Sequence, residues 1–100
     1  MADDAWEDLV ERTCDGDATA GSMFGCRGLR TGRRFFAIWW HEQLVVKLPA
    51  ERFQDMVASG QAEPFEPMPG RRMNGWVVLR ESVAWDPVVT EARAWVESQR

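Results

Sequence analysis

The sequence predicts an α+β domain: an antiparallel sheet of about five strands, covered by an N-terminal, a middle and a C-terminal helix. Three observations predict it. The stretch from Met23 to Leu48 gathers apolar residues into runs of strand length, interrupted at Gly32 and at His41-Glu42. Segments outside that stretch carry apolar residues at helical spacing. One hundred residues, 45% apolar and 28% charged, suit one domain with a buried core. The expected order is α-β-β-β-α-β(β)-α, a single domain over residues 1–100 with no second domain.

Asp4 followed by Glu7 suits the start of a helix, as N-cap and first-turn carboxylate. Trp6, Leu9, Val10 and Thr13 then form one apolar stripe, and Gly16 stops it. Residues 15–22 are small and polar and read as a loop. Met23–Arg30 reads as the first strand, bent or bulged at Gly25 and Gly28. Thr31-Gly32 makes a hairpin turn into the second strand, Arg33–Trp40. That strand is apolar on both faces, with Phe35, Ala37 and Trp39 on one and Phe36, Ile38 and Trp40 on the other. Such a strand is covered twice, or half of it meets a partner. Phe36, Trp40 and Trp76 are therefore the candidate interface.

His41-Glu42 turns the chain into Gln43–Leu48, which alternates Leu44, Val46 and Leu48 with Gln43, Val45 and Lys47. Pro49 suits the entry to a helix over Ala50–Ser59 that buries Phe53, Met56 and Val57, with Gly60 as its cap. Pro64, Pro67 and Pro69 make residues 61–72 extended or looped, with a short strand around Phe65. Met73–Arg80 returns as a strand, with Trp76 and Val78 on one face and Val77 and Leu79 on the other. Asp86-Pro87 starts a last helix striped by Val88, Val89, Ala92, Trp95 and Val96.

Six tryptophans and five phenylalanines, with no tyrosine, are expected mainly in the core. The net charge of −4 argues against a general nucleic-acid binder. Its distribution says more. Asp3, Asp4, Glu7, Asp8, Glu11, Asp15 and Asp17 crowd the first segment against Arg12 alone. Arg27, Arg30, Arg33 and Arg34 follow one another without an acid between them, and Arg71-Arg72 is a second pair. These six arginines are the candidate binding surface. A hairpin over residues 27–34 places Arg27 or Arg30 opposite Arg33 or Arg34, and paired like charges call for an anion. The anion is the chain's own acidic helix, an acidic partner, or nucleic-acid phosphate, the last with a steep salt dependence.

Cys14 and Cys26 fit no zinc spacing and no C-x-x-C motif, and His41 has neither a nucleophile nor an orienting carboxylate in its sequence pattern. No catalytic residue, metal or cofactor is expected. The flank of Arg27 favours a Cys26 thiolate, against the alternative of a packed free cysteine. No apolar run approaches the ~18 residues of a membrane span, and no signal-peptide pattern opens the chain. The expectation is a cytoplasmic protein with reduced thiols.

Met23-Phe24-Gly25-x-x-Gly28-Leu29 resembles the opening strand of the TfoX/Sxy N-terminal domain family. Phe35–Ile38, Leu44-Val45-Val46-Lys47-Leu48, Pro64-Phe65, Met73-Asn74-Gly75-Trp76 and the helix opened by Asp86-Pro87 follow in the family's order, over roughly residues 20–97. Cys26-Arg27 stands where many members have glycine and an aromatic, and Trp76-Val77 replaces a tyrosine pair. The resemblance implies a secretion-chaperone-like α+β fold shared with the YjbR group, and a bacterial source. Longer members regulate natural competence and carry a second domain, and no catalytic residue is established for the family. The function expected is a non-catalytic interaction or regulatory module, binding another protein or itself as a homodimer. The alternatives are a nucleic-acid-binding module using the arginine hairpin and a small-ligand pocket lined by tryptophan and Arg72.

Overall fold

The computed structural model describes residues 2–23, 25–81 and 83–99. The elements follow as α1 (Ala2–Thr13), β1 (Ala18–Met23), β2 (Cys26–Thr31), β3 (Arg34–Trp40), β4 (Gln43–Lys47), α2 (Ala50–Ala58), β5 (Ala62–Pro64), β6 (Trp76–Leu79) and α3 (Trp85–Ser98). The strands form one antiparallel sheet in the order β1-β2-β3-β4-β6-β5. The α+β class and the three helices are as the sequence predicts; the sheet has six strands rather than about five.

The additional strand is β1, in a stretch read as loop. Ala18, Ala20, Gly21 and Ser22 have little strand preference of their own, and only Thr19 among them favours a strand. They pair with β2 residue for residue, from Ala18 opposite Thr31 to Met23 opposite Cys26. Gly25, expected to bend a strand, lies in the turn between β1 and β2 at φ 74, which favours glycine. Phe24, also assigned to the expected first strand, lies outside the described residues.

A bulge sets the faces of β3. Leu29 pairs with Ala37 and Arg30 with Phe35, so Phe36 is the extra residue opposite that step. Strict alternation predicts Phe35 with Ala37 and Trp39. The bulge reverses the two phenylalanines: Phe36, Ala37 and Trp39 face the helices, while Phe35, Ile38 and Trp40 face away. In β6 no such slip occurs, and Val77 and Leu79 face the helices with Trp76 and Val78 opposite, as predicted.

The helix-side core joins Trp6 and Leu9 of α1, Met56 of α2, and Val88, Val89, Ala92 and Val96 of α3 to the sheet. Trp6 stacks on Trp39 at 5.6 Å and 16°, and Trp85 meets Trp39 edge-on at 5.6 Å. Such ring pairs add about 0.5–1.5 kcal/mol each beyond the area they bury. On the other face, Ile38, Val45 and Trp76 are buried beneath Phe65, and Met73 packs against them from the connection between β5 and β6. Hydrogen bonds from Phe65 N–H to the Trp76 carbonyl and from Met73 N–H to the Phe65 carbonyl pin that connection down.

Helix starts differ slightly from expectation. α1 begins at Ala2, so Asp4 lies inside its first turn. α3 begins at Trp85 with Ala84 as N-cap, which makes Pro87 its third residue, where a missing N–H costs nothing. The Asp86 carboxylate, expected as that cap, instead accepts from Arg12 Nη2 at 3.0 Å.

Candidate functional site

The strand register takes the six candidate arginines apart. Arg27 points to the helix side of β2 and lies 3.7 Å from Glu7 of α1, the contact between basic hairpin and acidic helix that the sequence suggests. Arg72 lies 3.5 Å from Glu66 within its own loop. Arg30 faces Phe35 across the ladder and Arg34 faces Thr31, while Arg33 occupies the turn after Gly32. The expected arginine-on-arginine pairing is therefore absent among the described residues, because the bulge and the turn shift the register.

Arg30, Arg33 and Arg34 remain exposed at one hairpin end, without a carboxylate partner among the described residues. Arg12, Arg27, Arg52, Arg72, Arg80 and Arg93 each hold one. Beside the hairpin, Arg93 binds Asp15 at 3.0 Å, and Ala18 and Asp17 donate their N–H groups to the same carboxylate. Asp15 is thereby held at a pKa of about 2, first by the Arg93 hydrogen bond and then by the two amides. The Arg93 guanidinium is raised in turn, chiefly by Asp15.

Arg30 reaches over the edge strand. A Cβ added at Gly21 would lie 3.3 Å from Arg30 Nε and 3.2 Å from Phe35 Cζ; one at Gly28 would lie 2.9 Å from Phe35 Cδ2. Gly21 and Gly28 are paired, so together they form the flat seat on which the Phe35 ring lies. On the same face Cys26, Trp40, Met73 and Val78 are also half-buried, packed against the cluster of Ile38, Val45, Phe65 and Trp76.

The interface trio does not share a face. Phe36 is fully buried beneath the helices, whereas Trp40 and Trp76 belong to the opposite side, Trp40 half-buried and edge-on to Phe65 at 5.4 Å. Cys14 and Cys26 are both free. Among the described residues no group of three or more His, Cys, Asp or Glu side chains is arranged to hold a metal ion. No helix among them is long and apolar enough to cross a membrane.

By the strand directions, Arg33, Arg34, Lys47 and the loop bearing Arg71 and Arg72 share one end. His41 and Glu42 turn the chain at the other, with φ of 48 and 61, where side chains are strained. There Glu42, Glu63 and Glu81 line a cleft of about 480 Å³ with Arg80, which binds Glu63 at 2.8 Å. A second cleft, of about 450 Å³, opens at the basic end between α2, α3 and residues 72–75. Arg72 and a tryptophan, Trp95, line it, the residue types named for the small-ligand alternative; Phe53 was not singled out by the sequence as a site residue, and Lys47 was marked only as the one lysine.

No curated protein and no solved structure matches this sequence. A family model does, that of the TfoX N-terminal domain, over residues 8–98. The match spans α1 from its second turn, all six strands, α2, and α3 to its last residue. On that extent the chain belongs to the TfoX N-terminal domain family.

Proposed function

We propose that the chain is a non-catalytic interaction or regulatory module that receives an acidic protein partner on its basic hairpin. The observation that carries this reading is the contrast among the arginines. Six bind carboxylates of their own chain, while Arg30, Arg33 and Arg34 stand together at one end with none among the described residues; Arg71, exposed in its own loop outside the hairpin, also has none. Clustered cations of one sign repel each other, and a partner's carboxylates relieve that repulsion. The half-buried Phe35 beside Arg30 supplies an apolar contact next to the charge.

A second reading, a single-stranded nucleic acid stacked on Phe35, rests on the same juxtaposition of ring and guanidinium. One experiment separates them. The tagged protein and an Arg30→Glu/Arg33→Glu/Arg34→Glu variant are used as bait in lysate, with and without nuclease. The protein reading expects a stoichiometric partner that survives nuclease and is lost with the variant. Prey lost on nuclease treatment favours nucleic acid. Prey held equally by the variant rules out the hairpin, and light scattering then tests self-association.

A further inference from the structure

The cleft at the basic end of the sheet has features the hairpin reading does not use. It lies under the first turn of α2 and measures about 450 Å³, within the roughly 300–1,000 Å³ of small-molecule sites. Its walls are apolar and partly ring-built: Phe53 from α2, Trp95 from α3 and Met73 from the loop, over a buried Leu48. Its charged lining residues are Lys47 and Arg72, both cationic.

Lys47 is the unusual member. It is half-buried, and its stem packs near Gly75, whose added Cβ would lie 3.9 Å from Lys47 Cε. Its ammonium stands 5.9 Å from the centre of the Trp76 ring, and no carboxylate of a described residue pairs with it. With no carboxylate of a described residue beside it, the ammonium attracts an arriving anion without giving up an internal partner. Arg72 is 70% exposed and held by Glu66 at 3.5 Å, so it can turn to a ligand at little cost. The first N–H groups of α2 add to the same field: Ala50 lines the cleft, and Pro49 supplies no side-chain cap.

We propose that this cleft binds a small aromatic carboxylate, its carboxylate between Lys47 and Arg72 and its ring between Phe53 and Trp95. Two cations and mainly apolar walls match a monoanion with a flat apolar body. A polyphosphate, polar throughout, would leave the faces of Phe53 and Trp95 without an apolar contact.

The chain's single lysine makes the test direct. Reductive ¹³C-methylation keeps the charge and labels only Lys47 and the terminal amine, so Lys47 gives one dimethylamine signal. Phenylacetate and indole-3-acetate are titrated against their neutral amides. The site predicts a saturable shift of the Lys47 signal with the acids and roughly tenfold weaker binding of the amides, the worth of one charge-assisted hydrogen bond. Lys47→Met, checked for fold by circular dichroism, reduces the preference for acid over amide and leaves the part due to Arg72; an unchanged preference overturns the proposal. The proposal is overturned if no saturable shift appears at millimolar ligand, or if acid and amide bind the unsubstituted protein equally. Neither result depends on the hairpin arginines, so failure here leaves the partner reading standing.

Discussion

The two faces of the sheet solve the same burial problem by different means. On one side three helices close over Phe36, Ala37, Trp39, Leu44 and Val46, with stacked tryptophans at the centre. On the other, one buried ring, Phe65, and a short loop cover Ile38, Val45 and Trp76, and the rim stays half-open. On the helix side α1 lies over β1, α3 over β2, β3 and β4, and α2 over β5 and β6, and their buried residues join in one core. The loop side rests on few contacts, and the groups available for binding are the ones the loop leaves at its margin. Stability and access are thus separated across one layer of backbone.

The strongest test of that division is Trp39→Ala, which deletes both ring pairs and opens the helix-side core. A loss of about 3–5 kcal/mol is expected in urea unfolding, with a single transition. Phe65→Ala removes the loop's anchor and is expected to cost about 3 kcal/mol. Its signature differs from that of Trp39: hydrogen exchange should speed up over residues 65–76 while α1 and α3 stay protected. Equal exposure of the helices would break the comparison.

Gly28→Ala tests the seat beneath Phe35. The new Cβ meets Phe35 Cδ2 at 2.9 Å and the Ala37 carbonyl oxygen at 3.0 Å, so about 1–3 kcal/mol of strain is expected. Adding Phe35→Leu should recover part of it, and failure to do so assigns the clash to the Ala37 backbone. Glu42→Gly relieves a φ of 61 in the β3–β4 turn and is expected to raise stability by about 1 kcal/mol, less the added freedom of the unfolded chain.

Asp15 gives the smallest effect and a pH dependence of fixed sign. Its folded pKa of about 2 lies below the ordinary 3.8. Its contribution is therefore complete above the unfolded value and is lost as pH falls through the folded one. Between pH 3.8 and about 2 the urea midpoint should fall less steeply for Asp15→Asn than for the unsubstituted protein.

The sequence made the strands with large residues legible and hid those without them. Phe35–Trp40, Leu44–Leu48 and Trp76–Leu79 announce themselves by apolar runs, and Phe53, Met56 and Val57 mark α2 by spacing. β1 carries no such mark, since Ala18, Gly21 and Ser22 are strand residues only because β2 pairs with them and Phe35 lies over Gly21. For the candidate site, local sequence showed that arginines cluster but not which of them are neutralised. Arg93 meets Asp15 across 78 positions, and Arg12 meets Asp86 across 74. Only the fold makes those pairs. The cleft of Lys47, Phe53 and Trp95 joins a strand end to two helices, a proximity that no sequence spacing encodes.

The extra residue at Phe36 works as a half-period phase slip written into the chain. Upstream of it Arg34 keeps step with Thr31, and downstream Ala37 keeps step with Val46, yet the two halves of the strand run out of phase. Deleting one residue there would restore perfect alternation and ruin the domain, by turning either the hairpin or the tryptophans inside out. The length of this strand is therefore constrained more tightly than its composition. A chain one position shorter at the slip would keep the apolar character of the strand and lose its register.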